Sequence, residues 1–220
     1  MEKNNTKQEI LDAALNLFSV QGYEATSISQ IADAVGIRKA SMYSHFGSKQ
    51  EILDALVRDV LVQYNNHSIF ARANWVDPAY TKDKRDLTPE GVVQMVVGQV
   101  LYILHDSQIS RARKMLTIEQ FGNSQIAALQ TKQNYTDVMH YFTGFVDFFI
   151  RQGKLIAGDS EIMAAQLCLP ISVWINLCDR EPEQEEQVLS LIERHILQFF
   201  EMYQNDSGQC VENGGDKHGF

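Results

Sequence analysis

Residues 27–46, SISQIADAVGIRKASMYSHF, read as two short helices joined by a tight turn. Ser27 stands at a cap position and Gln30 lies three residues on, the spacing at which each side chain satisfies the other's backbone N–H. Ile28, Ile31, Ala32 and Val35 then share one helical face. Gly36 supplies the left-handed residue that ends this helix, Ile37 folds back as its hydrophobic contact, and a second helix is predicted over 38–46. Ala32 is small enough for the two helices to cross closely, so the stretch is a helix-turn-helix.

The charges of this stretch point to an anionic partner. Arg38 and Lys39 fall in the first turn of the second helix, where the macrodipole disfavours cations and where a Ser or Asp cap would contribute about 1 kcal/mol. A negative ligand outside the protein reverses that sign. Lys49 repeats the pattern, because Ser48 caps the next helix with Glu51 in the box position and a helix N-terminus is where phosphate oxygens bind. Ser41, Tyr43, Ser44 and His45 add hydrogen-bonding side chains of the kind that fix a protein on phosphates and base edges. Phe46 reads as a core aromatic, and Tyr43 suits either role.

From Ile10 to Leu53 the chain closely resembles the N-terminal domain of TetR-type transcriptional regulators. The resemblance rests on Ala13-Ala14-Leu15-Asn16-Leu17-Phe18, Gly22-Tyr23, Thr26-Ser27-Ile28, Ile31-Ala32, Val35-Gly36-Ile37, Met42-Tyr43-Ser44-His45-Phe46 and Lys49. Arg38 stands where that pattern has a small capping Ser or Thr, and Ala40 where it has Gly, so base preferences do not carry over. The candidate DNA contacts are Thr26, Ser27, Arg38, Lys39, Ala40, Ser41, Tyr43, His45 and Lys49. The resemblance further implies double-stranded operator DNA as partner, repression, a homodimer built from the last two helices, and a pocket for a small-molecule effector inside each bundle.

At 220 residues with 45% hydrophobic content, the chain is long enough for one large or two small domains with a real core. No basic-then-apolar N-terminal run is present, and the apolar stretch around Val92 to Leu104 is interrupted by Gln94, Gly98 and Gln99, so a soluble cytoplasmic protein without a membrane partner is expected. A formal charge of -9 and a pI near 5.1 repel DNA at long range. A cationic footprint must therefore be local, and non-specific affinity weak. Cys168, Cys178 and Cys210 have no metal-type spacing and read as reduced thiols, the first two in the core. No cofactor or metal motif is present; the alternative is a helical ligand-binding protein or an enzyme whose helix-turn-helix docks protein.

Along the chain, an arm over 1–5 precedes a first helix capped by Thr6 and Glu9 and ended at Gly22. A long amphipathic helix starts at Glu51. Residues 74–87, with Pro78 and a charged run, read as a loop. Pro89 opens a helix with almost no polar face, and the helix after it carries Arg111, Arg113 and Lys114 on its wet side. Residues 124–152 form the most regular helical pattern, ended at Gly153. Two terminal helices follow, the first bent by Pro170.

The expected architecture is all-α: a three-helix DNA-binding domain over 1–47, an effector-binding and dimerisation bundle over 48–204, and a disordered tail over 205–220. Aromatic and Met residues of the central helices, Tyr102, Met115, Phe121, Tyr135, Met139, Phe142 and Trp174, are the candidate lining of a pocket for an apolar or aromatic effector. Leu167, Ile171, Val188, Leu191, Ile192, His195, Ile196 and Phe199 are the candidate dimer contacts, since two long helices with broad apolar faces need more partners than one bundle provides.

Overall fold

A computed structural model describes residues 2–205; the expected tail beyond residue 205 lies outside them. Twelve α-helices run through the described residues: α1 Glu2–Ala25, α2 Ile28–Val35, α3 Lys39–Met42, α4 Lys49–His67, α5 Ile69–Arg72, α6 Pro78–Thr81, α7 Pro89–His105, α8 Ser107–Glu119, α9 Ser124–Thr131, α10 Asp137–Arg151, α11 Ser160–Arg180 and α12 Glu185–Tyr203. No strand forms among them beyond an isolated bridge between Leu155 and Gln204. The protein is all-α.

The chain divides into two compact units, residues 2–73 with 99–138 and residues 74–98 with 139–205. The first is held by one apolar core to which Ile10, Ala14 and Phe18 of α1, Ile31 and Ala32 of α2, Met42, Phe46 and Ile52 all contribute. Met115 and Leu116 of α8 and Ile126 of α9 complete it, so the helix-turn-helix does not close its core alone.

Caps decide the local structure of this unit. Ser27 Oγ accepts from Gln30 N at 3.2 Å and Gln30 Oε1 accepts from Ser27 N at 2.7 Å, the reciprocal box read in the sequence. Gly36 ends α2 at φ 77°, and Ile37 N closes the cap by donating to Ala32 O at 3.0 Å. Gly22 breaks α1 at φ 82°, ψ 167°, backbone that side-chain-bearing residues rarely adopt. The start of α1 departs from expectation. The helix begins at Glu2, so Thr6 lies inside it rather than capping it, and Asn5 Nδ2 donates to Glu9 Oε1 one turn on.

In the second unit Trp75 is buried at 6% exposure among aromatic rings, edge-on to Tyr80, Tyr141 and Phe145 at 5.3–5.5 Å and tilted against Phe148. Residues 74–87, read as a loop, thus hold a core anchor and a helical turn: Asp77 caps α6 through Ala79 N, with Pro78 at its permitted first position. Leu167, Ile171, Val188, Ile192, Ile196 and Phe199 are all buried on α11 and α12, which pack against each other. His195 Nε2 lies 3.0 Å from Leu167 O and its ring meets Trp174 edge-on. Within one chain these residues are therefore interior, and Leu191 is half-buried beside them. Their apolar pattern recorded burial without saying against what.

The long pattern over 124–152 is split. A π-helical turn, Lys132–Thr136, separates α9 from α10, and Gly153 ends α10 at φ 71° as expected. Burial raises the Cys168 thiol to about 11, and it contacts Met139 Sδ, so at neutral pH it is a protonated core residue.

Candidate nucleic-acid interface and effector cavity

Helix α3 is short, and its orientation comes from two anchors. Met42 at 1% exposure and Phe46 at 3% are one turn apart and both enter the core of the first unit. After Met42 the expected helix tightens into turns, with His45 N and Phe46 N both bonded to Met42 O. The opposite face carries Arg38, Lys39, Ala40, Ser41, Tyr43 and Ser44, all exposed. Arg38 occupies the cap position of α3 and no side chain caps it, so the first turn offers unfilled N–H groups beside two cations. A stripe of guanidinium, ammonium, hydroxyl and phenol groups on a rigidly anchored segment can read base edges and grip phosphate.

Four members of the candidate set behave differently. Thr26 is 1% exposed, and its hydroxyl donates to Gly22 O at 2.8 Å while accepting from Gln21, so it is a structural lock. Ser27 is exposed, though its oxygen already caps α2. His45 is half-buried. Lys49 is engaged within the protein: its Nζ donates to Tyr23 O at 2.7 Å and Thr26 O at 2.9 Å and stands 4.0 Å over the Tyr23 ring. The ammonium is spent on the carbonyls that follow α1, which a left-handed Gly22 turns toward α4.

That geometry yields an expected result. Lys49→Ala lowers stability by about 2 kcal/mol, from two charge-assisted hydrogen bonds and a cation–π contact in a partly exposed setting. Urea unfolding measures it. Loss of DNA affinity with unchanged unfolding would instead assign Lys49 to phosphate.

The turn at Gly22 is also gripped from α8. Tyr23 N donates to Glu119 Oε1 at 2.7 Å, and Arg111 pairs with Asp12 at 2.8 Å. The opposite side of α8 faces a cavity of about 150 Å³, lined from α4 by Val60, Gln63 and Tyr64, from α7 by Gln99, Tyr102 and Ile103, and from α8 by Gln108, Ile109, Ala112, Arg113 and Leu116. Ser68, Phe70, Gln130, Gln133 and Asn134 complete the wall. Interface and cavity lie in the same compact unit.

Of the aromatic and Met residues read as pocket lining, Tyr102 alone lines this cavity. Met115 is fully buried in the core, Phe121 is 91% exposed and Tyr135 53% exposed. Met139, Phe142 and Trp174 belong to the second unit, the first two buried there and Trp174 against His195. Arg113, assigned to the wet side of its helix, is instead in the wall. Six of the wall residues outside that set are amides, Gln63, Gln99, Gln108, Gln130, Gln133 and Asn134, which in a sequence look like solvated helix surface. Gln130 is 6% exposed, donates to Thr117 Oγ1 and accepts from Asn134 Nδ2.

Comparison with known proteins finds relatives for the helix-turn-helix and for the fold. The family described as "Bacterial regulatory proteins, tetR family" matches residues 10–56. The HTH-type transcriptional repressor KstR2 of Rhodococcus jostii is 42% identical over 59 residues, 27% of this chain and 29% of KstR2. The biofilm operon icaADBC negative transcriptional regulator IcaR of Staphylococcus aureus is 43% identical over 60 residues, 27% of this chain and 32% of IcaR. The matched stretch spans less than a third of either relative's length. In fold, the chain is similar to SmeT, the repressor of the Stenotrophomonas maltophilia efflux pump SmeDEF, with a TM-score of 0.61 at 20% identity over 94% of each chain. A complex of SmeT with triclosan aligns at a TM-score of 0.62 and 18% identity, over 97% of this chain and 100% of that one. Residues 10–56 thus match the helix-turn-helix of the tetR family of bacterial regulatory proteins, and the all-helical fold is similar to that of SmeT.

Proposed function

We propose that the chain is a sequence-specific DNA-binding repressor that acts as a homodimer in the cytoplasm and leaves its operator when a small molecule with a largely apolar body enters the α4–α8 cavity. The exposed face of Arg38, Lys39, Ser41 and Tyr43, set by buried Met42 and Phe46, carries this reading. KstR2 and IcaR are named as a repressor and a negative regulator, and SmeT forms a complex with triclosan.

The cavity walls supply a route. Helix α4 runs from Lys49, which holds the carbonyls after α1, to Val60, Gln63 and Tyr64 at the cavity. Helix α8 runs from cavity residues Ile109 and Arg113 to Glu119, which holds Tyr23 N. A ligand that favours one spacing of α4 and α8 thus biases the orientation of α1 and, through α2, of α3.

The dimer is assigned to the outer faces of α11 and α12. The most apolar 18 residues of α11 have a mean hydropathy of 1.4, yet 33% of that window is buried within the chain. Ile162 and Val173 on α11 and Met202 on α12 are exposed, at 56%, 62% and 60%. Such a face needs an apolar partner, and a second copy supplies it symmetrically.

Arg38→Ala tests the DNA assignment. Fluorescence anisotropy on operator and random DNA is expected to show a loss of about 1–3 kcal/mol on the operator, relaxed preference at one base position, and a smaller loss on random DNA. Equal losses on both would reduce Arg38 to a phosphate contact.

A further inference from the structure

The α4–α8 cavity has a cation in its wall and no carboxylate: among its lining residues Arg113 is charged, and none is Asp or Glu. It also has a donor without an acceptor. Gln133 lines the cavity, and its Nε2 is buried with no hydrogen-bond partner. Its neighbours in the wall are committed, since Gln130 and Asn134 bond to each other and Gln130 bonds to Thr117. Gln133 itself sits in the π-turn Lys132–Thr136, an insertion that changes helical register between Gln130 and Asp137. Such turns cost regular hydrogen bonding and recur at functional sites.

We propose that this cavity binds a small amphipathic carboxylate, with the anionic head on Arg113 and Gln133 and an apolar body against Ile103, Ile109 and Leu116. The proposal rests on the regulator reading and names the chemical class of its effector. A buried, unmade N–H bond costs about 1–3 kcal/mol, which a ligand oxygen removes once the Gln133 amide turns into the cavity. A carboxylate accepts from guanidinium and amide together, whereas an ammonium ligand would meet two donors and no acid. The acid bonded to wall residue Tyr64 is already occupied. Asp137 accepts from Tyr64 and pairs with Lys132, and it does not line the cavity. Tyr64 is held well above the usual phenol range by burial and by that bond, so it stays neutral and adds no repulsion. A volume of about 150 Å³ matches an apolar cavity that admits benzene, which limits the body to about one ring or a short branched chain.

Calorimetric titration of the full chain with benzoate, benzamide and benzylamine tests this, with DNA binding measured on the same preparation. Benzoate is expected to bind at least about tenfold more tightly than benzamide, with benzylamine silent. Gln133→Leu, similar in shape and without the donor, lowers benzoate affinity about tenfold at an unchanged melting temperature. Arg113→Gln removes the preference for benzoate over benzamide, and Arg113→Lys retains it. The proposal is overturned if benzamide or benzylamine binds as well as benzoate, or if none of the three binds at roughly 5 mM. Sequence-specific DNA binding without a benzoate preference removes this inference and leaves the regulator reading; a benzoate preference without DNA binding does the reverse.

Discussion

Ile196→Glu is expected to unfold residues 139–205 rather than separate two folded subunits. Ile196 has no exposed surface and lies in the layer between α11 and α12, with Ile192, Phe199 and Leu167 also buried there. Removing its packing costs about 2–5 kcal/mol, and a carboxylate left without a partner in that layer costs several more. Domain stability is about 5–15 kcal/mol, so the sum consumes most or all of it. Circular dichroism should show loss of cooperative melting, and gel filtration aggregated or expanded protein. A folded monomer with the wild-type melt would instead return Ile196 to a subunit contact. Val173→Glu is the matched comparison: at 62% exposure it should stay folded and shift the protein toward monomer.

Trp75 is the second position where a large effect is expected. Its indole stands against four rings and against Gly144, where an added Cβ would lie 2.6 Å from the indole Cδ1. Trp75→Ala should therefore cost about 3–5 kcal/mol through lost packing and the cavity left behind. Gly144→Ala attacks the same contact from the other side, and overpacking should cost about 1–3 kcal/mol. Urea unfolding of both variants measures the two values. A Gly144→Ala protein within about 0.5 kcal/mol of wild type would mean that the indole moves aside freely, contrary to its close packing.

The parts of the fold that were legible in the sequence are those fixed by neighbouring residues. Ser27 with Gln30, Gly36 with Ile37, and Ser48 with Glu51 each settle a helix end through bonds spanning five residues or fewer, so α2 and the start of α4 fell where expected. Exposed Arg38, Lys39, Ser41 and Tyr43 followed, because Met42 and Phe46 set the inward face. What stayed hidden was three-dimensional. Nothing local to Lys49 showed that Tyr23 and Thr26 would turn their carbonyls to it from across the unit.

The wall of the α4–α8 cavity stayed hidden for a related reason. Size and apolarity selected Met115 and Phe142, but the best-packed side chains fill space rather than line it, and Phe121 lies at the surface. The wall combines smaller apolar residues such as Val60, Ile103 and Ile109 with glutamines and Arg113, whose helical positions read as wet. A π-turn at 132–136 brings Gln133 and Asn134 to that wall, and such a register shift leaves almost no periodic trace in a single sequence. Likewise Leu167, Ile192 and Ile196 were recognisable as buried, while the surface left for a partner, with Ile162, Val173 and Met202, breaks the apolar period.

The central claim is that the anchored α3 face reads base sequence as part of a symmetric pair. Selection of wild-type protein against a random double-stranded DNA library, followed by sequencing, tests it most directly. The account predicts enrichment of one inverted repeat whose half-sites are about one helical turn, or a multiple of it, apart, with enrichment falling as salt rises. A selected pool no different from the starting library would contradict it.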